Sequence, residues 1–330
     1  MKKKSLLVAV LMAFVLMLTA CNKDDASGGV KTGDASGKDQ YKIVVIAKSN
    51  NSEFWQTVNA GAEEAAKEEN VNVTFQARPD ETDIAGQVSI VEDAINQGVD
   101  AIVLAPSDVD ALIAVVDKAD AAGIPVITID SKLNSDTPKS HVATDNEAAA
   151  VLAAENLAKA IGEEGKVAIV SFVAGASTAV AREQGFISKI KEYPNIEIIN
   201  TFYSDADRNK AMTITQDILT STPDIKGIFG TNEPSAVGVS LAVEQTGFQD
   251  KVTVVGFDSS EDEIYAINNG SMVGTVVQNP FNMGYSGVKQ AVKVIKGEEV
   301  EKVIDTGVTY VNKENLESEE VQKLLNPLGK

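Results

Sequence analysis

The sequence is poor in the side chains on which most enzyme chemistry depends: 330 residues hold one cysteine, one histidine and one tryptophan. A single cysteine, Cys21, excludes a disulfide within the chain. With His141 as the only histidine, the usual His/Cys clusters for transition metals cannot be assembled, and no metal or cofactor is expected. A Ser-His-Asp triad would have to use His141, and no strand-to-helix elbow of the G-x-S-x-G type is present, so His141 reads as structural. The Gly/Ala loop VAGAST at 173–178 lacks the lysine of a phosphate-binding loop. Basic residues are also scarce. Against 48 Asp and Glu stand 29 Lys and Arg, a net charge of -19 that repels phosphate backbones and removes nucleic acid as a partner. No helix-turn-helix pattern precedes Tyr41. The run Glu261, Asp262, Glu263 reads as a solvated helix start favoured by the helix dipole. Paired carboxylates without a second supporting feature do not make a glycosidase, and the chain is not read as an enzyme.

The one basic cluster, Lys2, Lys3 and Lys4, precedes an apolar run at 6–18 that is too short to span a bilayer and has the shape of an export signal. The run ends in Leu18-Thr19-Ala20-Cys21, which resembles the bacterial lipobox, where the cysteine is acylated and becomes the mature N-terminus. The expectation is a signal peptide over 1–20 and a lipidated Cys21 on the outer face of the cytoplasmic membrane. A flexible Ser/Gly/Asp/Lys-rich tether over 21–40 would follow, with the fold beginning near Tyr41.

From there apolar strand-like runs alternate with helical patterns. Strands are expected at 42–47 (KIVVIA), 71–77, 101–106 and 125–130, with helices at about 53–70, 84–97 and 109–122. The order recurs with strands at 166–172, 196–202, 227–232 and 252–258 and helices at about 179–191, 208–220 and 236–246. Alternation with continuous apolar strands means a parallel sheet covered by helices on both faces. Two halves offset by roughly 125 residues are too far apart for a solenoid repeat and give two similar doubly wound α/β lobes. Strand C-termini of open parallel sheets carry the ligand loops, so facing lobes enclose a cleft.

Residues after the strands are unlike the rest of the surface. They are Lys48, Asn50, Asn51, Phe54 and Trp55 after the first strand, Asp130 and Ser131 after the fourth, and Arg182, Asp205, Asp207, Asn232 and Asp258 in the second half. A further extended run at 274–280 carries Gln278 and Asn279. Planar amides, carboxylates and a guanidinium satisfy neighbouring hydroxyls in pairs, and aromatic rings cover C–H faces. Both are what a sugar needs. Singly, each residue has a plainer reading: Asp130, Asn232 and Asp258 as helix caps or turn formers, Arg182 as a surface residue paired with Glu183 or Glu192, and an aromatic ring as core. Their joint placement at equivalent strand ends favours the cleft.

The stretches VIAKSNNSEFWQTVNAGAEEAAKE, GVDAIVLAPSD, AAGIPVITID, VATDN, AREQGF, GIFGTNE, VVGFD and GTVVQNPFNMGYSGVK, in this order, resemble the type I periplasmic sugar-binding proteins, the ribose-binding branch of ABC importers. The resemblance runs from Tyr41 to about Asn315. It implies two lobes, 41–144 plus 279–305 and 145–278 plus 306–330, joined by a three-segment hinge near Thr144-Asp145, Gln278-Asn279 and Asp305-Thr306. By position it implies ligand contacts from Lys48, Ser52, Phe54, Trp55, Asp130, Arg182, Asn232, Asp258 and Gln278, with Phe54 and Trp55 as the stacking pair. The pattern departs from ribose binders at Lys48, Ser131 and Ala206, where they carry a small hydroxyl residue, an arginine and a phenylalanine. Lys48 is left with three options: a ligand hydroxyl, a pair with Glu53 or Asp258, or an acidic group on the ligand. The implied function is that of a monomeric lipoprotein that captures a monosaccharide or related polyol and delivers it to the permease of an ABC importer by closing. A nucleoside or autoinducer binder on the same scaffold, and a sensory module for a receptor kinase, remain as alternatives.

Overall fold

The structure, a computed structural model, describes residues 40–329; Cys21, the signal segment and all but the last residue of the tether lie outside the described residues. The first half runs β1 (Lys42–Ile46), α1 (Glu53–Glu69), β2 (Asn72–Gln76), α2 (Ile84–Gln97), β3 (Ala101–Leu104), α3 (Ile113–Ala121), β4 (Val126–Ile129) and β5 (Ser140–Ala143). The second runs α4 (Asn146–Ala160), β6 (Glu164–Ser171), α5 (Ser177–Ile190), β7 (Asn195–Tyr203), α6 (Arg208–Ser221), β8 (Ile225–Gly230), α7 (Glu233–Thr246), β9 (Thr253–Phe257), α8 (Glu261–Asn269) and β10 (Gly274–Gln278). The chain ends with α9 (Pro280–Ile295), β11 (Val303–Asp305), β12 (Val308–Asn312) and α10 (Glu319–Leu325).

Strands β1, β3 and β4 are β-branched and apolar almost throughout because both faces of the sheet are covered. Along β1 the side chains alternate, Ile43 and Val45 entering one core and Val44 and Ile46 the other. Edge strands β2 and β7 are only partly buried, and their sequences are correspondingly more polar. Helix α3 begins at Ile113 and not at 109, because Asp108 Oδ1 accepts from the N–H groups of Asp110 and Ala111 and holds a turn there.

The two sheets share one topology. Their strand orders are β11-β5-β4-β3-β1-β2 and β12-β10-β9-β8-β6-β7, so β1 and β6 occupy equivalent places beside the points where the winding reverses. Ligand loops gather at such reversals, at the strand C-termini. The expectation of wholly parallel sheets is corrected at one edge, where β12 pairs antiparallel with β10, Gly274 opposite Asn312 and Gln278 opposite Val308. The reason lies in how the chain changes sheets. After β5 and after β10 it crosses into a helix, α4 or α9, which packs on the other lobe and carries it back to the strand starts. After β11 it crosses directly through Thr306 and Gly307, entering the facing sheet at its strand C-termini, and must run against them.

Helix α9 lies against α1 at close range. A Cβ on Gly61 would stand 1.9 Å from the Phe281 carbonyl oxygen, and one on Gly284 would stand 1.9 Å from that of Val58. Each glycine therefore admits the backbone of the other helix. This contact fixes the start of α1, where the first ligand loop ends.

Candidate functional site: the interlobe cleft

All nine residues expected to contact a ligand line one cavity between the strand C-termini of the two sheets: Lys48, Ser52, Phe54, Trp55, Asp130, Arg182, Asn232, Asp258 and Gln278. Each is less than a tenth exposed. The cleft is nearly shut, with a free volume of about 30 Å³. A larger hollow of about 760 Å³ beside α10, lined by Gln278, Thr309, Glu319, Lys323 and Leu324 among others, is open surface with no buried charge.

Two carboxylates occupy matching places. Asp130 follows β4 and Asp258 follows β9, and both take left-handed backbone, with φ of 58° and 82°. Non-glycine residues rarely accept that conformation outside functional or tightly turned sites. Asp130 Oδ2 pairs with Lys48 Nζ at 2.7 Å and accepts from Ser131 Oγ at 3.0 Å. Of the partners the sequence allowed Lys48, the structure uses neither Glu53 nor Asp258; Asp130 on the second strand along takes the charge, and Thr178 of the other lobe accepts from Nζ at 3.3 Å. Burial is the largest influence on the Asp130 carboxyl and pushes its pKa up. The charges of Lys48 and Arg182, with hydrogen bonds from Lys48 and Ser131, outweigh it and leave Asp130 below the ordinary aspartate value.

Arg182 is not the surface residue it resembles in isolation. It is 2% exposed; its Nε donates to Asn146 Oδ1 and its NH1 to the Thr231 carbonyl, each at 2.8 Å, and its guanidinium lies 3.7 Å from the centroid of Phe257. Phe257 is backed by Phe229, which stacks on Phe186 at 4.7 Å, so a ladder of rings supports the cation from beneath. Glu183, its possible partner, bonds Ser171 and Tyr203 instead. Asp258 accepts from Gln278 Nε2 at 2.7 Å and from the Glu233 N–H at 3.0 Å; burial nevertheless raises its pKa, against the opposing charge of Arg182. The other end of that amide, Gln278 Oε1, is buried with no hydrogen-bond partner among the described residues. Gln278 lines both the cleft and the hollow beside α10, and Ser140 Oγ and Gln290 Oε1 are buried without a partner likewise.

Phe54 and Trp55 meet edge to face, centroids 4.9 Å apart, and belong to the core of their lobe while also lining the cavity. The plainer reading of the pair, as core rings, is met for both. Asn232 likewise caps α7, accepting from Ser235 N–H, and lines the cleft. Asn50, Asn51, Asp205 and Asp207 lie outside it: Asn51 bonds the Pro79 carbonyl, Asp205 pairs with Lys210, and Asp207 caps α6. The presumed crossing residues do sit where the chain changes sheets. Asp145 caps α4, Asn279 caps α9, and Asp305 Oδ1 accepts from the Gly307 N–H at 2.9 Å and more weakly from that of Asp145. His141 is partly buried, its Nδ1 3.0 Å from Thr128 Oγ1, and burial lowers its pKa.

Five lining residues escaped the sequence reading: Glu81, Phe172, Thr178, Glu233 and Pro234. Glu81 follows β2 and accepts from Trp55 Nε1 at 3.1 Å, fixing the indole; burial raises its pKa. Phe172 follows β6, packs near Ala206 and lines the cleft. Both could have been found by the strand-end rule that found the others. The reading of Glu263 as solvated is corrected: it is fully buried behind Asp258, bonded to Ser260, and burial raises its pKa well above the ordinary value.

A family described as "Periplasmic binding protein domain" matches residues 43–299. A ribose import binding protein of Bacillus subtilis is 30% identical over 304 residues, covering 92% of this chain and 97% of its own length. The chain belongs to the type I periplasmic sugar-binding proteins. Among solved structures, a solute-binding protein of Agrobacterium vitis with bound D-fucose is 43% identical with a TM-score of 0.83, covering 85% of this chain and 98% of the other. One from Agrobacterium radiobacter in complex with D-arabinose is 37% identical with a TM-score of 0.85, covering 87% and 99%. Relatives of this kind are transport receptors without catalytic activity, and this binding protein is not an enzyme.

The cleft makes the stability of the binding protein depend on pH in a definite sense. Glu81, Glu233, Asp258 and Glu263 have pKa values raised by burial, that of Glu233 to about 7. Such groups hold protons more tightly in the fold than unfolded, so the fold loses stability as pH rises from the ordinary carboxylate range through each raised value. Asp130 acts oppositely, and its contribution is lost only as pH falls from about 3.9 through its depressed value. Calorimetric Tm should therefore be highest near pH ~4–5, lower at pH 8, and lower again below pH ~3. A Tm at pH 8 equal to or above that at pH 5.5 would contradict this charge map.

Proposed function

We propose that the binding protein captures a monosaccharide outside the cytoplasmic membrane and hands it to the permease of an ABC importer. Its lobes, 41–144 plus 279–305 and 145–278 plus 306–330, close about the crossings at Thr144-Asp145, Gln278-Asn279 and Asp305-Thr306. Acylation of Cys21 holds it to the membrane surface. The observation that carries the sugar reading is the convergence of all nine expected contact residues on one buried cleft. Bidentate carboxylate, amide and guanidinium groups address a rim of hydroxyls, and Phe54, Trp55 and Phe172 address C–H faces. Names of relatives support the class: ribose, D-allose, D-fucose and D-arabinose binders all occur among them.

Ligand drives closure only through contacts made to both lobes at once. Lys48, Phe54, Trp55 and Asp130 come from one sheet's loops and Arg182, Asn232 and Asp258 from the other's, so a bound sugar would bridge them. A thermal-shift panel of pentoses, hexoses, polyols, sugar acids and nucleosides, followed by calorimetry, tests the reading. At least one neutral monosaccharide should raise Tm by several degrees with micromolar or better affinity. A response confined to nucleosides, or none to any sugar, would overturn it.

A further inference from the structure

Helix α1 begins at the cleft without a cap of its own: its N-cap residue Ser52 makes no side-chain capping bond, leaving first-turn N–H groups in need of an acceptor. The acceptor comes from the other lobe. Phe54 N–H donates to Glu233 Oε2 at 3.0 Å, and Glu233 is the first residue of α7. The exchange is returned at α8, whose Glu261 N–H donates to Glu53 Oε2 at 3.2 Å, Glu53 being the first residue of α1. Each lobe thus offers a glutamate to a helix start on the other, and both bonds exist only while the lobes touch. Resting on the sugar-receptor reading above, we propose that Glu53 and Glu233 form a reciprocal clasp across the cleft and act as positioning residues for closure, setting ligand affinity by stabilising the closed form.

The clasp is built from acids facing acids. Around Glu233 stand Asp258 at the end of β9, Glu53 on α1 and, behind them, Glu263 on α8; around Glu53 stand Glu261 and Asp262 on α8 and Arg208 of α6. Lys48, Glu81 and Arg182 share the cleft wall with Glu233, and Asp80, Asp205, Asp207 and Arg208 border it on the outer side. Shutting the cleft buries Glu233 among them; burial first, then the charges of Asp258 and Glu53, raise its pKa to about 7 against the lowering effect of backbone hydrogen bonds led by that from Phe54. An exposed glutamate titrates near 4.3. Closure at pH 7 therefore takes up about half a proton, and the protonated carboxyl still accepts from Phe54 through its carbonyl oxygen. The capping of α1 by Glu233 also leaves the Ser52 hydroxyl, which lines the cavity, for other partners.

The test uses the full chain and whichever of D-ribose, D-allose, D-arabinose and D-fucose gives the largest thermal shift. Calorimetry in buffers of differing ionisation enthalpy should find about half a proton taken up per sugar bound at pH 7, and affinity about tenfold higher at pH 6 than at pH 8. Glu233→Gln, neutral and still an acceptor, should abolish the uptake and flatten the pH profile at the tighter value. Glu233→Ala and Glu53→Ala should each weaken binding severalfold or more, and Glu53 is exposed, so its variant folds. Small-angle scattering of the sugar-free chain supplies an arm that needs no ligand: acidification from pH 8 to 5.5 should compact the wild type and not Glu233→Ala. Wild-type affinity in both alanine variants, absence of proton uptake, or no compaction overturns the clasp. Failure of every sugar to bind overturns the receptor reading instead, and scattering then decides the clasp alone.

Discussion

Arg182→Ala is expected to weaken monosaccharide binding by two to three orders of magnitude, the largest effect of any single change in the cleft. The guanidinium is buried on Phe257, held by Asn146 and the Thr231 carbonyl, and is one of two cations facing Glu81, Asp130 and Asp258. Removing one member of a buried charged set costs about 3–5 kcal/mol because its partners keep their charges and lose the compensation. At about 1.4 kcal/mol per decade this is roughly 10²–10³-fold in affinity. Asp258→Ala should fall in the same direction by about 10-fold or more, since Gln278 Nε2 and the Glu233 N–H both lose their acceptor. Titration calorimetry on folded variants, checked by circular dichroism, decides the matter. Unchanged affinity in both would remove the cleft from consideration as the sugar site.

Gly284→Ala is expected to damage the fold and not the site. The added methyl would overlap the Val58 carbonyl at 1.9 Å, and a backbone oxygen inside a helix cannot step aside as a flexible side chain can. Helices α1 and α9 must separate, and overpacking of this kind costs about 1–3 kcal/mol or more. In a domain of this size that lowers Tm by roughly 3–10 °C. Gly61→Ala should behave alike from the other side, meeting the Phe281 carbonyl. Sugar affinity of the molecules that remain folded should stay within severalfold of wild type, which separates this loss from that of Arg182. A Tm unchanged in both variants would mean the crossing is looser than described.

These two residues also mark how far the sequence could be read. Arg182 was legible because strand C-termini in a doubly wound sheet are where ligand loops must be, and the same rule collects Lys48, Asp130, Asn232 and Asp258. Glu81 obeyed the rule and was passed over, since the turn-rich run around it reads as an ordinary loop after an edge strand. Glu233 was hidden for a different reason: its partner Phe54 is 179 residues away, and no local pattern encodes a bond between two loops of separate lobes. The choice of Asp130 by Lys48 depends on strand order across β1, β3 and β4, which becomes definite only with the sheet assembled. Glu263 misled because an acidic first turn is the signature of a solvated helix start, and only tertiary packing turns one of its three acids inward. Likewise the reversal of β12 follows from a direct crossing between facing sheets, a property of the pair of lobes and of neither alone.

The interleaving of the sheets has a consequence for how the chain comes to be made. The first sheet receives its last strand, β11, and its covering helix α9 from residues beyond 279, and the second waits for β12, ending at Asn312. During vectorial emergence of the polypeptide, neither half has all its strands until nearly the whole chain is out. Early fragments are left with an open sheet edge and uncovered apolar faces. The short run from Val303 to Asn312 supplies an edge strand to each sheet, so it is the piece that finishes both halves together.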